Sequence, residues 1–163
     1  MDKKEANKRI GNILQDAVYA ALHRLQDREI VFGVKWANKD KLPDFLVLDR
    51  FNRLWDLECK NLKKYPTPTH KRWYDTELKN KQWHKGYGRI LVISFFQFDD
   101  ETSRLVLKKF HSIVELEAQI DVENYLPTLD ALEQKFAVIF GSKLPTRFYK
   151  NRKRRVLWNG NGE

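Results

Sequence analysis

The run of residues 89–98, Arg-Ile-Leu-Val-Ile-Ser-Phe-Phe-Gln-Phe, is the most apolar stretch of the sequence and limits what the chain can fold into. It is much shorter than the ~20 residues that an apolar helix needs to span a bilayer. An apolar segment of this length is typical of a central strand that is covered on both faces. We therefore expect an α/β fold, in which helices flank a central mixed β-sheet.

Helical and strand periodicities predict the remaining elements. Before the central strand they indicate an amphipathic helix over residues 3–27, a strand over 29–36, a hairpin of strands 44–48 and 54–60, and a helix over 69–85. After it they indicate a turn at 99–102, a strand over 104–110, and helices over 112–119 and 129–139.

The chain of 163 residues has no internal repeat and no linker that would divide it. We therefore expect one domain over residues 1–141, followed by an irregular basic tail over 142–163. The only cysteine, Cys59, excludes an internal disulfide and a cysteine-based zinc cluster. The first residues are charged and lack the apolar stretch of a secretion signal. We expect a cytoplasmic protein with no membrane partner, located in the host cell if the protein is viral.

The balance of charges indicates a polyanionic partner. Thirty-one Lys and Arg residues against 22 Asp and Glu residues give a net charge of +9, which would attract DNA or RNA. A basic protein of ordinary solubility is the alternative. The tail is the most basic segment, and we expect it to contact phosphates through Lys143, Arg147, Lys150, Arg152, Lys153, Arg154 and Arg155. A solvated tail or a localisation signal is the alternative for this segment.

The predicted hairpin carries the residues with the clearest chemistry. Side chains alternate along a strand, so Glu58 and Lys60 share one face while Cys59 points to the other. The hairpin turn lets Asp44 approach Glu58, so that two carboxylates meet beside an ammonium group. Hard carboxylate oxygens favour Mg²⁺ or Mn²⁺, and such an ion can promote hydrolysis of a phosphodiester. The main-chain carbonyl of Cys59 is a further candidate ligand.

An acid-x-Lys triplet is a weak signal by itself. Four occur in the sequence, beginning at Asp2, Glu58, Glu77 and Glu133. Only the triplet at Glu58 ends a predicted strand and follows a Pro-Asp pair at hairpin distance. The alternative for this triplet is an exposed strand face with surface ion pairs, which contribute little to stability.

Pro43-Asp44 followed by Glu58-Cys59-Lys60 resembles the motif of the PD-(D/E)xK nuclease superfamily, which includes restriction endonucleases and archaeal and phage junction resolvases. The resemblance covers about residues 5–110. It implies a restriction-endonuclease-like core in which a helix precedes a mixed sheet and a helix and a strand follow it. It also implies that Asp44 and Glu58 bind the metal and that Lys60 is the catalytic lysine.

Two further positions bear on the match to that family, and the first of them departs from it. Many members have an acidic ligand on the first helix, where this chain offers Gln15, Asp16 or the more distant Glu5. We take Asp16 as the candidate ligand and leave the other two open. Some members also have Gln or Lys on the helix after the motif, and Gln82 occupies that place, so the resemblance makes it a candidate catalytic residue.

The resemblance implies a Mg²⁺- or Mn²⁺-dependent endodeoxyribonuclease that acts in DNA repair, in recombination or in a phage or mobile element. A structure-specific Holliday junction resolvase is one alternative. A non-catalytic DNA-binding module with a nuclease-like fold is another. A homodimer is expected on geometric grounds, because one active site cuts one strand and a duplex has two.

Overall fold

Five strands form one mixed sheet in the order β1-β2-β3-β4-β5. The computed structural model describes residues 3–37, 41–62, 67–96, 98–143, 146–148 and 155–157. The strands of the sheet are β1 (Val31–Trp36), β2 (Phe45–Asp49), β3 (Leu54–Lys60), β4 (Gly88–Ser94) and β5 (Ser112–Leu116). The helices are α1 (Lys3–Asp27), α2 (Thr67–Thr76), α3 (Asp100–Lys109) and α4 (Tyr125–Phe140), with a 3₁₀ turn at Leu78–Asn80.

The direction of the strands changes at β3. Strands β1, β2 and β3 are antiparallel neighbours, whereas β3, β4 and β5 run parallel. Parallel neighbours need a crossover connection. Helix α2 lies in the first crossover and α3 forms the second.

Strand β4 explains why the sheet lies between two layers of helix. Ile90 and Val92 are buried in a core with side chains of α1 and α4. Leu91 and Ile93 point the other way, into a second core with residues of α2, the 3₁₀ turn and α3. The alternation follows from the two-residue period of a strand. Residues 89–94 of the apolar run therefore form a strand covered on both faces, whereas the predicted strand extended to residue 98. The expected α/β class with a mixed, helix-flanked sheet is confirmed.

The turn between β2 and β3 is held by Asp49, whose side chain is fully buried. Its carboxylate accepts hydrogen bonds from the backbone N–H groups of Phe51 and Arg53 and from the Trp55 indole. It also pairs with the Arg53 guanidinium at 2.5 Å. The same guanidinium donates to carbonyl oxygens at the end of α4, on Ile139, Phe140, Ser142 and Lys143. These bonds fix the hairpin and thereby the register between its strands.

Three predicted elements after the central strand were wrong. Residues 100–109 form helix α3, where a turn over 99–102 and a strand over 104–110 were predicted, and β5 begins at Ser112 where a helix was predicted. Asp99 begins α3, and its carboxylate accepts a hydrogen bond from the Thr102 backbone N–H at 2.7 Å. Acidic residues occupy the first turn of α3 and lysines the last, which suits the helix dipole.

The helix after the motif is shorter than predicted. Helix α2 ends at Thr76 and the 3₁₀ turn at Asn80, and Lys81 is already extended. The segment from Lys81 to His84 then runs across β3 and is held by tertiary hydrogen bonds. The predicted helical position of Gln82 is therefore wrong.

The tail contains regular structure where none was predicted. Strands β6 (Thr146–Phe148) and β7 (Arg155–Leu157) form an antiparallel pair, and β6 lies against β5 and α4. The predicted division of the chain into a domain over residues 1–141 and a tail over 142–163 stays a prediction. None of the helices in the described segments combines the length and the low polarity that crossing a membrane requires.

Candidate active site

The β2–β3 register brings Asp44 and Glu58 together. Phe45 pairs with Leu57, so Asp44, one residue before β2, lies beside Glu58 and Cys59. The Cys59 backbone N–H donates to Asp44 Oδ2 at 2.8 Å. The N–H and C=O of one strand residue point toward the same neighbouring strand. The Cys59 carbonyl therefore also faces Asp44, while its side chain is buried in the core on the other face.

Glu58 is buried at a place where its charge is disfavoured. Only 3% of the residue is exposed. Burial, and then the negative charge of Asp44, raise the pKa of Glu58 to about 8. Burial also raises the pKa of Asp44, although the hydrogen bond from Cys59 opposes that change. Glu58 Oε1 accepts no hydrogen bond from the described residues while the carboxylate is ionised, and in its neutral form Glu58 can share its proton with Asp44.

Lys81, which the motif did not indicate, supplies the ammonium group beside this pair. Its Nζ lies 2.8 Å from Glu58 Oε2, and its side chain is 12% exposed. The ammonium of Lys60 instead lies 3.5 Å from Glu77 and 5.5 Å from the centre of the Trp73 ring. The alternative of an exposed ion-paired strand face is therefore wrong for Glu58. An exposed ion pair is found instead between Lys60 and Glu77, whose side chains both reach solvent.

Helix α1 contributes Gln15 and leaves Asp16 away from the pair. Gln15 Nε2 donates to Asp44 Oδ1 at 3.1 Å. Neighbouring helical side chains are about 100° apart around the axis, and Asp16 is exposed to solvent. The structure therefore does not bring Asp16 to the carboxylates. The side chain of Glu5 lies outside what the structure describes.

An open cleft of about 680 Å³ lies over Asp44. Its lining includes Gln15, Trp36, Lys41, Lys81 and Gln82. The backbone N–H of Gln82 donates to the Lys41 carbonyl at 2.6 Å, so this bond ties the β1–β2 connection to the segment after the 3₁₀ turn. The side chain of Gln82 is exposed at the cleft.

A second buried carboxylate holds the segment from Lys81 to His84 against β3. Asp56 is fully buried and shares the strand face of Glu58. It accepts hydrogen bonds from the His84 backbone N–H at 2.7 Å and from the His84 ring at 2.8 Å. The two ends of the segment are thus attached to alternate residues of β3. One end is held by the ion pair between Lys81 and Glu58, and the other by the hydrogen bonds between His84 and Asp56.

The predicted phosphate-contacting residues of the tail are only partly described. Lys143 is exposed just after α4. Arg147 and Arg155 lie in β6 and β7, and their side chains are outside the description. The same applies to the whole of Lys150, Arg152, Lys153 and Arg154. Their contact with nucleic acid stays a prediction.

The donors available for a metal ion are oxygen atoms. They are the carboxylates of Asp44 and Glu58, the Cys59 carbonyl and the amide oxygen of Gln15. No group of three or more His, Cys, Asp and Glu residues suited to a metal occurs within the described part of the chain. Mg²⁺ is nevertheless often bound by one or two carboxylates together with water and substrate phosphate. The donor set, with an unbonded oxygen on Glu58, fits such an ion.

No family model, curated protein or solved structure matches the chain.

Proposed function

We propose that the protein is a Mg²⁺- or Mn²⁺-dependent endonuclease that hydrolyses DNA phosphodiester bonds. The observation that carries the proposal is the pair formed by the buried Glu58 and the half-buried Asp44, of which Asp44 lines an open cleft bordered by Lys41 and Lys81. An unpaired buried carboxylate oxygen is costly to the fold. Groups with displaced pKa values in clefts are concentrated at functional sites. A cation bound between the two carboxylates would offset that cost.

The residues of the site have separable roles in this proposal. Asp44 and Glu58 would hold the cation, and the Cys59 carbonyl and Gln15 amide oxygens are the adjoining donors. When bound, the cation activates a water molecule and offsets the charge of the scissile phosphate. Gln15 and the Cys59 N–H orient the Asp44 carboxylate. Lys81 favours the ionised form of Glu58 and places positive charge where the phosphate would lie.

The order of elements supports the proposed membership of the PD-(D/E)xK superfamily. A helix, three antiparallel strands carrying the motif, a helix and a parallel strand follow one another from α1 to β4. That order is the one the resemblance implies. The position of the ammonium group differs from the simple motif, because Lys81 and not Lys60 pairs with Glu58.

A non-catalytic DNA-binding module is the second candidate. It is favoured because the described residues include no group of three or more His, Cys, Asp and Glu suited to a metal, and Glu77, the other acidic residue of the cleft, pairs with Lys60. Such a module would keep the basic surface and show salt-dependent DNA affinity, but no metal-dependent turnover.

Cleavage of end-labelled DNA distinguishes the two candidates. We expect cleavage in Mg²⁺ or Mn²⁺ and none in EDTA. Asp44→Asn and Glu58→Gln should each remove most turnover while DNA binding persists. Glu133→Gln is the matched control, because Glu133 belongs to another acid-x-Lys triplet and pairs with Arg24 and Arg28 on the α1–α4 surface. DNA binding without cleavage in any metal would favour the module.

We also propose that the protein is a homodimer, and sedimentation analysis of the same preparation tests this. A dimer would supply the two active sites that a duplex break requires.

A further inference from the structure

Trp36 forms an aromatic wall of the cleft. It is the last residue of β1 and is 37% exposed. Its ring lies 5.2 Å from the ring of Tyr19 and 5.2 Å from that of Phe45. Both neighbours belong to or pack against the core shared by α1 and the sheet. The indole is therefore supported from inside the protein, while part of its surface lies open to the cleft.

The other walls carry groups that suit the remaining parts of a nucleotide. Lys41 and Lys81 provide cations for a phosphate, and the carboxylate of Glu77, which also lines the cleft, is paired with Lys60. The amide side chains of Gln15, Asn80 and Gln82 also line the cleft. Amides can form paired hydrogen bonds with base edges. Aromatic surface, amides and cations together match a base and its phosphate better than they match an apolar ligand.

The size of the cleft excludes a double helix from its interior. Its volume of about 680 Å³ corresponds to a cube with an edge of about 9 Å, and it lies within the range of small-ligand sites. A single groove of B-DNA is already about 12 Å wide, so a whole duplex is wider than the cleft. A duplex can lie across the mouth of the cleft, but only an unpaired nucleotide can enter it.

We infer that the cleft binds one unpaired nucleotide with its base against Trp36, so that the substrate is DNA with a single-stranded segment. The inference rests on the proposed function for the cleavage chemistry only. Base binding depends on Trp36 and the cleft walls, whereas cleavage depends on Asp44 and Glu58. Stacking tolerates any base, so we expect preference for strandedness and little preference for sequence.

Binding measurements in EDTA test the inference without any hydrolysis. The probes are a fluorescent oligothymidylate of about twelve nucleotides, a duplex of equal length, and an oligonucleotide of the same length whose sugars lack bases. The variants are Trp36→Leu, which keeps apolar packing on Tyr19 and Phe45, and Trp36→Phe, which keeps an aromatic face. Phe32→Leu is the matched control, because Phe32 lies on the same strand, is 52% exposed and does not line the cleft.

Trp36→Leu should weaken oligothymidylate binding by about 5- to 150-fold, the effect of losing one stacked base. Trp36→Phe should retain most of the affinity, and Phe32→Leu should change it by less than about two-fold. The affinity of Trp36→Leu for the duplex and the abasic strand should equal that of the wild type. Equal effects of Trp36→Leu and Phe32→Leu would overturn the inference. So would an equal loss of affinity by Trp36→Leu on all three probes.

The two proposals can fail separately. Metal-dependent cleavage with no effect of Trp36→Leu on strand binding would remove the inference and leave the nuclease. Loss of strand binding in Trp36→Leu with no cleavage in any metal would leave the nucleotide site and remove the nuclease.

Discussion

The buried Glu58 should make the metal-free protein less stable as the pH rises. Its pKa of about 8 in the folded protein lies above the ordinary value of 4.5. Between those values the folded state holds a proton that the unfolded state has lost, so unfolding becomes easier with increasing pH. Each pH unit in this window costs the folded state about 1.4 kcal/mol. The free energy of unfolding should therefore fall by about 3–4 kcal/mol between pH 5 and pH 8.

Urea unfolding in EDTA at several pH values, with wild type and Glu58→Gln, measures this effect. Glutamine cannot titrate, so the variant should lose most of the decline between pH 5 and pH 8. The variant also places a neutral amide beside the Lys81 ammonium at every pH, which changes stability by an amount that does not depend on the titration of residue 58. The informative quantity is therefore the slope against pH and not the stability at one pH. Glu133→Gln should keep the wild-type slope.

A divalent cation should reverse the decline, because it binds the ionised carboxylates of the folded state. At a Mn²⁺ concentration of 100 times its dissociation constant, the gain is about 2.7 kcal/mol. The gain should be large at pH 8 and small at pH 5, where protons compete for the same oxygens. Parallel slopes for wild type and Glu58→Gln would refute the reasoning. A gain with Mn²⁺ that is equal in the two proteins would also refute it.

Three further predictions concern the turn, the lysines and the tail. Arg53→Ala should lower the free energy of unfolding by about 3–5 kcal/mol in urea titrations, because it leaves the buried Asp49 carboxylate without its cation; Arg50→Ala, at an exposed position, is the control. Lys81→Met should reduce turnover more than Lys60→Met does. Because the Lys81 charge lowers the pKa of Glu58, Lys81→Met should also extend the fall in the free energy of unfolding to higher pH. Replacing tail cations by serine should weaken DNA binding and reduce the salt slope by about 0.9 for each phosphate that the tail no longer neutralises, whereas an unchanged slope would identify a solvated tail. The tail substitutions are Lys150→Ser, Arg152→Ser, Lys153→Ser and Arg154→Ser.

Local patterns were sufficient to predict the elements that build the site. The helical period of α1, the alternation in β3 and the apolar run in β4 each reflect burial against the core. The hairpin distance between Asp44 and Glu58 predicted that the two carboxylates would meet, because a tight antiparallel pair allows few registers. The burial of Glu58 was not predictable, because it depends on α2 and the 3₁₀ turn covering that strand face.

The elements that were wrong depend on long-range pairing or on a cap. Ser112-Ile-Val-Glu-Leu116 is a strand because β4 offers a parallel partner, and that pairing requires the intervening residues to cross over as a helix. Asp99 followed by acidic residues is the cap signal that could have identified α3.

The role of Lys81 was missed for a different reason. Lys81 reaches Glu58 because α2 ends early and the following segment is bound to Lys41 and Asp56. The helical and strand periodicities of the sequence do not indicate such tertiary hydrogen bonds. Its position one residue before Gln82 was the only sequence signal, since the family resemblance allows Gln or Lys at that place.

The central claim is that Asp44 and Glu58 bind one cation that drives phosphodiester hydrolysis. It is tested most directly by the single-turnover cleavage rate of labelled DNA as Mn²⁺ is titrated into the wild type and Glu58→Gln at pH 8. We predict that the wild-type rate rises from zero and saturates at the Mn²⁺ concentrations that stabilise the fold. The Glu58→Gln rate should stay near zero at those concentrations. A rate that is independent of Mn²⁺, or that is the same in both proteins, would contradict the account.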